Sequence, residues 1–212
     1  MKVGILGSGQ VGQALGRGFV ARGHQVTIGS REPEKLSGWT EEVGEGAFAG
    51  TFDHAAAFGD VAVLACLGSA AEDVIGLAGP ENLTGKVVID ATNPLQFSDD
   101  GPPSLFVAGD DSLGERVQRW LPDSKVVKAF NIVGNTLMVD PDLPGGPPTM
   151  LIGGDDGAAK ATMASILEDF GWEVSDLGGI ETSRVLEQIC IAWVLHGSRV
   201  GSWDFAFKIL HA

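Results

Sequence analysis

A short apolar strand that runs into a glycine-rich turn constrains the fold of this chain more than any other feature. Residues 2–6, Lys-Val-Gly-Ile-Leu, are followed by Gly7-Ser8-Gly9-Gln10-Val11-Gly12 and then by a helix-compatible stretch over 13–20. In a G-x-G-x-x-G turn between strand and helix, the glycines let the backbone close on a pyrophosphate at the helix N-terminus. The motif alone is weak in a chain with 31 glycines, but its position between a strand and a helix predicts dinucleotide binding.

The end of the next predicted strand, residues 24–28, indicates which dinucleotide is bound. Proteins that bind NAD usually have Asp or Glu here, which accepts hydrogen bonds from the ribose 2′-hydroxyl. This chain has Gly29 followed by Ser30 and Arg31, and a hydroxyl with a guanidinium suits a 2′-phosphate. Lys35, one helical turn onward, either reaches the same phosphate or faces solvent. The pattern therefore predicts NADP(H) as the cofactor.

Strands and helices alternate along the chain, which is typical of the α/β class. With 212 residues and 44% hydrophobic residues, the chain can form one large α/β domain. We expect a Rossmann-type, doubly wound, mostly parallel sheet with a small helical C-terminal elaboration. Residues 1–180 would form the NADP-binding domain, and residues 181–212 a helical segment that either walls a substrate site or makes a dimer contact.

The predicted elements follow from apolar runs and turn signals. Strands are expected over 2–6, 24–28, 47–52, 61–65, 86–90, 125–129, 150–152 and 172–175. Helices are expected over 10–22, 55–58 (with Asp53 as N-cap), 71–78, 113–120, 158–170 and most of 182–210, while Gly38 should interrupt a helical stretch at 33–43. The longest irregular segment is 92–108, in which residues 99–103 form either a mobile lid or a solvated loop.

The formal net charge of −14 excludes nucleic acid as a partner, because no basic stripe is available to neutralise phosphates. The expected ligand is itself anionic, so local positive charge has to offset the overall charge. Four basic residues near the start of the chain are candidates: Arg17, Arg22, Arg31 and Lys35.

The chain also lacks signals for export or for membrane insertion. It has no run of about eighteen apolar residues, and glycines and Arg17 interrupt the apolar start, unlike a signal peptide. Cys66 and Cys190 are far apart in sequence, and we expect both to be reduced and buried rather than bridged. These observations predict a cytoplasmic protein that has no membrane partner.

Motifs of acid–base, nucleophilic or metal catalysis are missing, since H-E-x-x-H, C-x-x-C and G-x-S-x-G do not occur. We therefore predict no metal site and assign no catalytic residue. His196 is the one histidine considered for a site, although a place in the core or an interface is favoured. Trp193, Trp203, Phe205 and Phe207 crowd the C-terminal segment, which favours a subunit contact over the alternative of an acceptor pocket wall.

Five motifs in one order resemble a known family, and the resemblance runs from Val3 to about Glu187. It is carried by Gly7-Ser8-Gly9-Gln10-Val11-Gly12, Ile28-Gly29-Ser30-Arg31, Asp90-Ala91-Thr92-Asn93-Pro94, Val127-Lys128-Ala129-Phe130-Asn131 and Gly153-Gly154-Asp155-Asp156. Together they are similar to the deazaflavin-dependent NADP oxidoreductases (8-hydroxy-5-deazaflavin:NADPH oxidoreductases). The same motifs are similar to those in the cytosolic reductase domain of the STEAP metalloreductases.

That resemblance implies a homodimer in which NADPH lies across the strand ends and a deazaflavin, FMN or FAD stacks on the nicotinamide as co-substrate. Hydride would then pass between the two ring systems, which carry the reactivity themselves. The implied cofactor-binding residues are those of the glycine turn (Gly7, Ser8, Gly9, Gln10, Val11 and Gly12), the 2′-phosphate site (Ser30, Arg31 and Lys35), the nicotinamide ribose site (Cys66, Leu67 and Gly68) and the border of the nicotinamide and the acceptor (Asn93, Pro94, Ala129 and Asn131).

Two other functions are consistent with the residues alone. In the first, the acceptor is a small imine or carbonyl compound. Its reduction requires a proton donor near the nicotinamide, and the sequence offers only weak candidates for this donor. The second is an NADP-binding sensor module that performs no turnover.

Overall fold

The computed structural model describes residues 1–98 and 101–212. Its strands are β1 (Lys2–Leu6), β2 (Gln25–Gly29), β3 (Ala47–Gly50), β4 (Val61–Leu64), β5 (Val87–Asp90), β6 (Leu95–Gln96), β7 (Ser104–Leu105), β8 (Lys125–Lys128), β9 (Thr149–Ile152) and β10 (Glu173–Asp176). The helices are α1 (Gln10–Ala21), α2 (Ser37–Val43), α3 (Phe52–Phe58), α4 (Ala71–Ala78), α5 (Leu113–Trp120), α6 (Gly157–Asp169) and α7 (Ser183–Val200).

A six-stranded parallel sheet in the order β3-β2-β1-β4-β5-β8 forms the centre of the molecule. The chain builds outward from β1 to β3 and then returns to place β4 on the other side of β1. Leu6 at the end of β1 is therefore in register with Gly29 on one side and with Leu64 on the other. In such sheets the ligand crevice opens at the carboxyl ends of the strands, where the order reverses. The Rossmann-type prediction is confirmed.

Helices cover both faces of this sheet, which explains why its central strands are apolar on both sides. On one face, Leu15 and Phe19 of α1 pack in the same cluster as Leu167 of α6. On the other, Ile75 of α4 and Val117 of α5 pack in a second cluster together with side chains of α3. The loops of the site emerge between these two helix layers, at the carboxyl ends of the strands.

Two small sheets extend the central one. Strands β9 and β10 pair in parallel, and backbone hydrogen bonds between Lys128 and Gly153 join this pair to the end of β8. Strands β6 and β7 form an antiparallel pair within the segment predicted to be irregular. Of the segment 99–103 that was considered as a lid, Asp99 and Asp100 lie outside the described residues.

Two local predictions in the first third of the chain are wrong. Asp53 is not an N-cap, because α3 begins one residue before it, at Phe52, and Thr51 holds the extended N-cap position. Gly38 does not interrupt its helical stretch, which forms a 3₁₀ turn over Pro33–Leu36 and then continues as α2. A Cβ at Gly38 would meet no atom within 4 Å, so this glycine imposes no break.

The prediction that 182–210 is mostly helical is also wrong beyond Val200. Gly201 adopts a left-handed conformation (φ 69°) and caps α7, as glycine commonly does at a helix C-terminus. The residues after it run back along the molecule, where the Phe207 carbonyl accepts a hydrogen bond from the Thr149 amide at 2.9 Å. Whether 1–180 and 181–212 are separate units stays a prediction.

Among the described residues, no helix has both the length and the apolar character needed to cross a membrane. The predicted cytoplasmic location stays a prediction. Cys66 and Cys190 are both free thiols, and Cys190 is buried while Cys66 is partly buried.

Candidate coenzyme site

The turn between β1 and α1 is shaped by glycines that a larger residue could not replace. Gly7 has φ +142°, and a Cβ there would collide with the carbonyl of Ala65. At Gly12 a Cβ would collide with the carbonyl oxygen of Gly7, so this glycine allows α1 to pack closely on β1. Gly9 differs, because a Cβ there would meet nothing within 4 Å. Its backbone thus faces open space at the start of α1.

Helix α1 begins without a side chain that satisfies its first amides. Gly9 is the N-cap, no side-chain hydrogen bond caps the helix, and its first turn contains no acidic residue. The free N–H groups and the helix dipole at such an end favour an anionic group. Gln13 stabilises the turn, since its Nε2 donates to the Ser8 carbonyl at 2.9 Å.

The loop after β2 places a hydroxyl and a guanidinium beside that turn. The Ser30 hydroxyl is 3.3 Å from the Ser8 hydroxyl and accepts from the Glu32 amide at 3.1 Å. Arg31 is exposed and, within the described parts of the chain, has no carboxylate at ion-pair distance. Lys35 is also exposed, but its ammonium is paired with Glu32 at 2.7 Å.

Arg17 of α1 and Arg22, which follows this helix, do not add to the site, contrary to the prediction. Arg17 pairs with Glu42 at 2.9 Å. Arg22 pairs with Asp140 at 2.7 Å and with Asp169 at 2.9 Å. Both guanidiniums are therefore neutralised by carboxylates, and the local positive charge comes from Arg31 and from the start of α1.

A cavity of about 1140 Å³ joins these parts, which is at the upper end of the size of small-molecule sites. Ten of the predicted site residues line it, namely Gly7, Ser8, Gly9, Gln10, Val11, Ser30, Arg31, Lys35, Cys66 and Leu67. The wall opposite the glycine turn comes from α4 and was not foreseen from the sequence; it includes Glu72, Asp73, Gly76 and Leu77.

A second group of predicted residues lies where the loops after β4, β5 and β8 meet. Asn93 donates from Nδ2 to the Asn131 carbonyl at 2.7 Å, and Asn131 donates from Nδ2 to Asn93 Oδ1 at 3.0 Å. Gly68 packs against the Asn93 backbone so closely that a Cβ would collide with its carbonyl. Pro94 and Ala129 are buried beside them. Among the described residues, the lining of the cavity includes neither this second group nor Gly12.

Backbone strain accompanies this amide pair. Phe130, between Ala129 and Asn131, is almost fully buried and has φ 62°, a left-handed conformation that a bulky residue rarely adopts. Such strain costs on the order of 1–3 kcal/mol and persists only where the surrounding structure enforces it. The left-handed conformation of Phe130 turns the chain at the end of β8. As a result, the Asn131 side chain meets Asn93 and donates to the Leu186 carbonyl at 3.0 Å.

The remaining candidates are packing groups. Burial raises the pKa of the Cys66 thiol to about 12, and the negative charge of Asp90 adds to the rise, so Cys66 is a neutral wall of the cavity. His196 is exposed and meets the ring of Phe205 edge-on at 4.6 Å. Trp193 is buried under Trp203 and Phe205, with ring centroids 5.0 and 5.3 Å away. The crowded aromatics therefore cover one another in part.

Comparisons with known proteins show the family of this chain. The family model described as "NADP oxidoreductase coenzyme F420-dependent" matches residues 2–94. The F420-dependent NADP reductase of Methanocaldococcus jannaschii is 32% identical over 204 residues, with 89% of each chain covered. The chain belongs to the coenzyme F420-dependent NADP oxidoreductase family. It is therefore an oxidoreductase, and the resemblance seen in the motifs is confirmed.

A solved structure is similar to this chain over its whole length, which supports the family assignment. A protein from Arthrobacter sp. FB24, named as a candidate F420-dependent NADP reductase, is 38% identical with a TM-score of 0.94, and all of both chains is covered. Similarity also extends to the rat metalloreductase STEAP3, at 29% identity over 189 residues. The chain spans only 36% of the length of STEAP3.

Three charged residues that the sequence analysis did not single out are buried in this family member. Lys128 of β8 forms ion pairs with Asp90 of β5 at 2.9 Å and with Glu187 of α7 at 3.0 Å. Asp90 ends an apolar strand and Lys128 follows the apolar pair Val126-Val127, which is the signal that could have drawn attention to them. Glu187 could not have been paired with them from sequence, because it lies 59 residues beyond Lys128.

Proposed function

We propose that this protein transfers hydride between NADP(H) and a deazaflavin, with coenzyme F420 as the first acceptor to test. The family assignment supports the class of reaction. The observation that carries the choice of coenzyme is the exposed, unpaired Arg31 next to Ser30 at the mouth of the cavity. A 2′-phosphate would supply the anion that this guanidinium lacks within the described residues.

Each part of the cavity has a role in this proposal. The open backbone at Gly9 and the uncapped start of α1 would hold the pyrophosphate. Ser30 and Arg31 would bind the 2′-phosphate, and Lys35 would join them when it leaves Glu32. Cys66 and Leu67 would border the nicotinamide ribose.

The second group of residues would hold the reacting rings. Asn93 and Asn131 fix each other by two hydrogen bonds, and a rigid pair of this kind can orient a ring without taking part in the chemistry. The nicotinamide supplies the hydride to the acceptor when both are bound. The chain's own part is to align the rings and to exclude water, so no protein acid or base is assigned.

The proposal is tested by mixing the protein with NADPH and one acceptor at a time, and by following absorbance near 340 nm. We expect oxidation of NADPH with F420 and slower or no oxidation with FMN or FAD. Turnover of an imine or a ketone without F420 would favour the small-substrate alternative. Binding of NADPH with no turnover on any of these acceptors would favour the sensor alternative.

We also propose that two copies associate through the outer face of α7. This face carries exposed Val185, Leu195 and Val200, and Trp203 beyond it is 43% exposed although it stacks on Trp193. Exposed apolar side chains in one region are typical of a protein interface. Light scattering on the purified 22.0 kDa chain should give twice that mass, and a monomer at micromolar concentration would contradict this association.

A further inference from the structure

The three buried charges join three elements that are distant in sequence. Lys128 has no exposed side-chain surface, and its ammonium lies between the Asp90 carboxylate and the Glu187 carboxylate. Burial alone would lower the pKa of Lys128, but the charges and hydrogen bonds of Asp90 and Glu187 outweigh it and raise the pKa. The lysine is therefore charged, since removing its proton would leave two carboxylates facing each other.

Both carboxylates also accept hydrogen bonds from backbone amides. Asp90 Oδ1 accepts from the Thr92 amide at 2.9 Å and from the Thr92 hydroxyl at 2.7 Å. The two oxygens of Glu187 accept from the amides of Leu113 and Gly114, at 3.0 and 2.9 Å, at the start of α5. Two carboxylates and one ammonium leave one net negative charge, which the amides at the start of α5 offset in part.

This buried charge lies next to the residues that would hold the reacting rings. Asp90 is followed at once by the loop that carries Asn93, and its hydrogen bonds to Thr92 fix that loop. On the other side, the carbonyl of Leu186, the neighbour of Glu187, accepts a hydrogen bond from Asn131. The charge of Asp90 also contributes to the raised pKa of Cys66, which lines the cavity, so its field reaches the site.

We propose that the Asp90–Lys128–Glu187 cluster sets the relative affinity for oxidised and reduced coenzyme, favouring NADP⁺ over NADPH. This rests on the proposed function, in which the nicotinamide lies over Asn93 and Asn131. The oxidised nicotinamide carries a positive charge and the reduced one is neutral, whereas the rest of the two molecules is the same. A negative charge buried in a medium of low dielectric constant stabilises the charged ring and does nothing comparable for the neutral one. The cluster would thereby determine which oxidation state of the coenzyme the protein binds more tightly.

The test measures dissociation constants of NADP⁺ and NADPH for the wild-type protein and for Glu187→Gln. Glutamine keeps the shape of the glutamate side chain and one oxygen that can accept a hydrogen bond from an α5 amide. It removes the net negative charge of the cluster. We expect NADP⁺ affinity to fall relative to NADPH affinity by roughly threefold or more. Asp90→Asn removes one negative charge of the cluster from strand β5 instead of helix α7 and should shift the ratio in the same direction.

The control is Glu42→Gln, which likewise removes one carboxylate charge. Glu42 pairs with Arg17 at the surface, where its own side chain is 62% exposed, so solvent screens the change. The control should leave the ratio of the two dissociation constants within about twofold of wild type.

Two outcomes would contradict the account in different ways. An unchanged ratio of the two dissociation constants in variants that are folded, as judged by thermal melting, would overturn the inference. This holds whether both affinities weaken equally, as for a cluster that only supports the structure, or neither affinity changes. Failure of the wild-type protein to bind either coenzyme would instead contradict the proposed function.

Discussion

In the proposed function, single residues at the end of β2 carry the choice of coenzyme. In an NAD site this position would hold an acid, and here Gly29 leaves room for the close approach of Phe52, whose Cα would lie 3.0 Å from a Cβ at that position. Ser30 and Arg31 follow directly and face the cavity. Because these residues are adjacent in sequence and follow a recognisable strand, their place at the cavity could be predicted without a structure, while their role stays a prediction.

Replacing the guanidinium should affect only the phosphorylated coenzyme. We expect Arg31→Ala to weaken NADPH binding by about 1.5–3 kcal/mol, the scale of a hydrogen bond to a charged group, and to leave NADH nearly unchanged. Fluorescence titration with both coenzymes measures this. Arg17→Ala is the matched control, since Arg17 pairs with Glu42 and does not line the cavity. Equal losses for NADPH and NADH would show that Arg31 does not bind the 2′-phosphate.

The glycine turn allows binding to be separated from folding. Gly9 has φ −76° and ψ −175°, which alanine adopts easily, and a Cβ there meets no protein atom within 4 Å. Gly9→Ala should therefore leave the melting temperature close to wild type but weaken NADPH and NADH alike, because the methyl group enters the space of the pyrophosphate. Gly38→Ala, on an open surface of α2, should keep full affinity and raise stability by about 0.5–1 kcal/mol. Unchanged affinity in Gly9→Ala would place the pyrophosphate elsewhere.

At the level of elements, polar groups that are close in sequence fix the start of α5. Ser112 is the N-cap: its hydroxyl accepts from the Glu115 amide at 3.2 Å and donates to the Glu115 carboxylate at 2.7 Å. Asp111, one residue earlier, accepts hydrogen bonds from Arg116 and Arg119 of the same helix. Since α5 also supplies the amides that bind Glu187, its stability bears on the buried charge cluster.

This start of α5 should make the protein sensitive to acid. Burial raises the pKa of Asp111, but hydrogen bonds from Arg119 and Arg116 outweigh it and lower the pKa to about 2, from an ordinary value of 3.8. A carboxyl whose pKa is lower in the folded state stabilises the protein above its unfolded pKa, and this stabilisation is lost as the pH falls from about 4 to 2. Melting temperature measured against pH should therefore decline less steeply over that range in Asp111→Asn than in wild type. Parallel curves would show that Asp111 contributes no acid-dependent stability.

The buried strands of the sheet were predicted well, whereas local signals at Asp53 and Gly38 and contacts between distant residues were not. Strand β4 is a continuous apolar run and β5 is apolar up to its last residue, so both strands could be predicted from sequence. The C-terminal end of α7 was misplaced because the apolar residues after Gly201 resemble a helix but instead stack on Trp193. The α4 wall of the cavity and the pairing of Lys128 with Glu187 depend on tertiary packing, which periodicity does not report.

For the whole molecule, a net charge of −14 has to coexist with an anionic coenzyme. The structure resolves this locally, because Arg17 and Arg22 are neutralised by carboxylates while Arg31 and the uncapped start of α1 face the cavity. Arg31 and the start of α1 thus offer positive charge where the phosphates would lie, while Glu72 and Asp73 line the α4 wall of the same cavity. Negative charge is buried further along the same edge of the sheet, beneath the expected place of the nicotinamide.

Recognition of the 2′-phosphate is tested most directly with two fragments that differ in that group alone. Calorimetric titration of the wild-type protein with 2′,5′-ADP and with 5′-AMP should show the bisphosphate binding at least roughly tenfold more tightly, as expected for a charge-assisted contact to Arg31. Equal affinities, or tighter binding of 5′-AMP, would contradict an NADP(H)-specific site in this cavity.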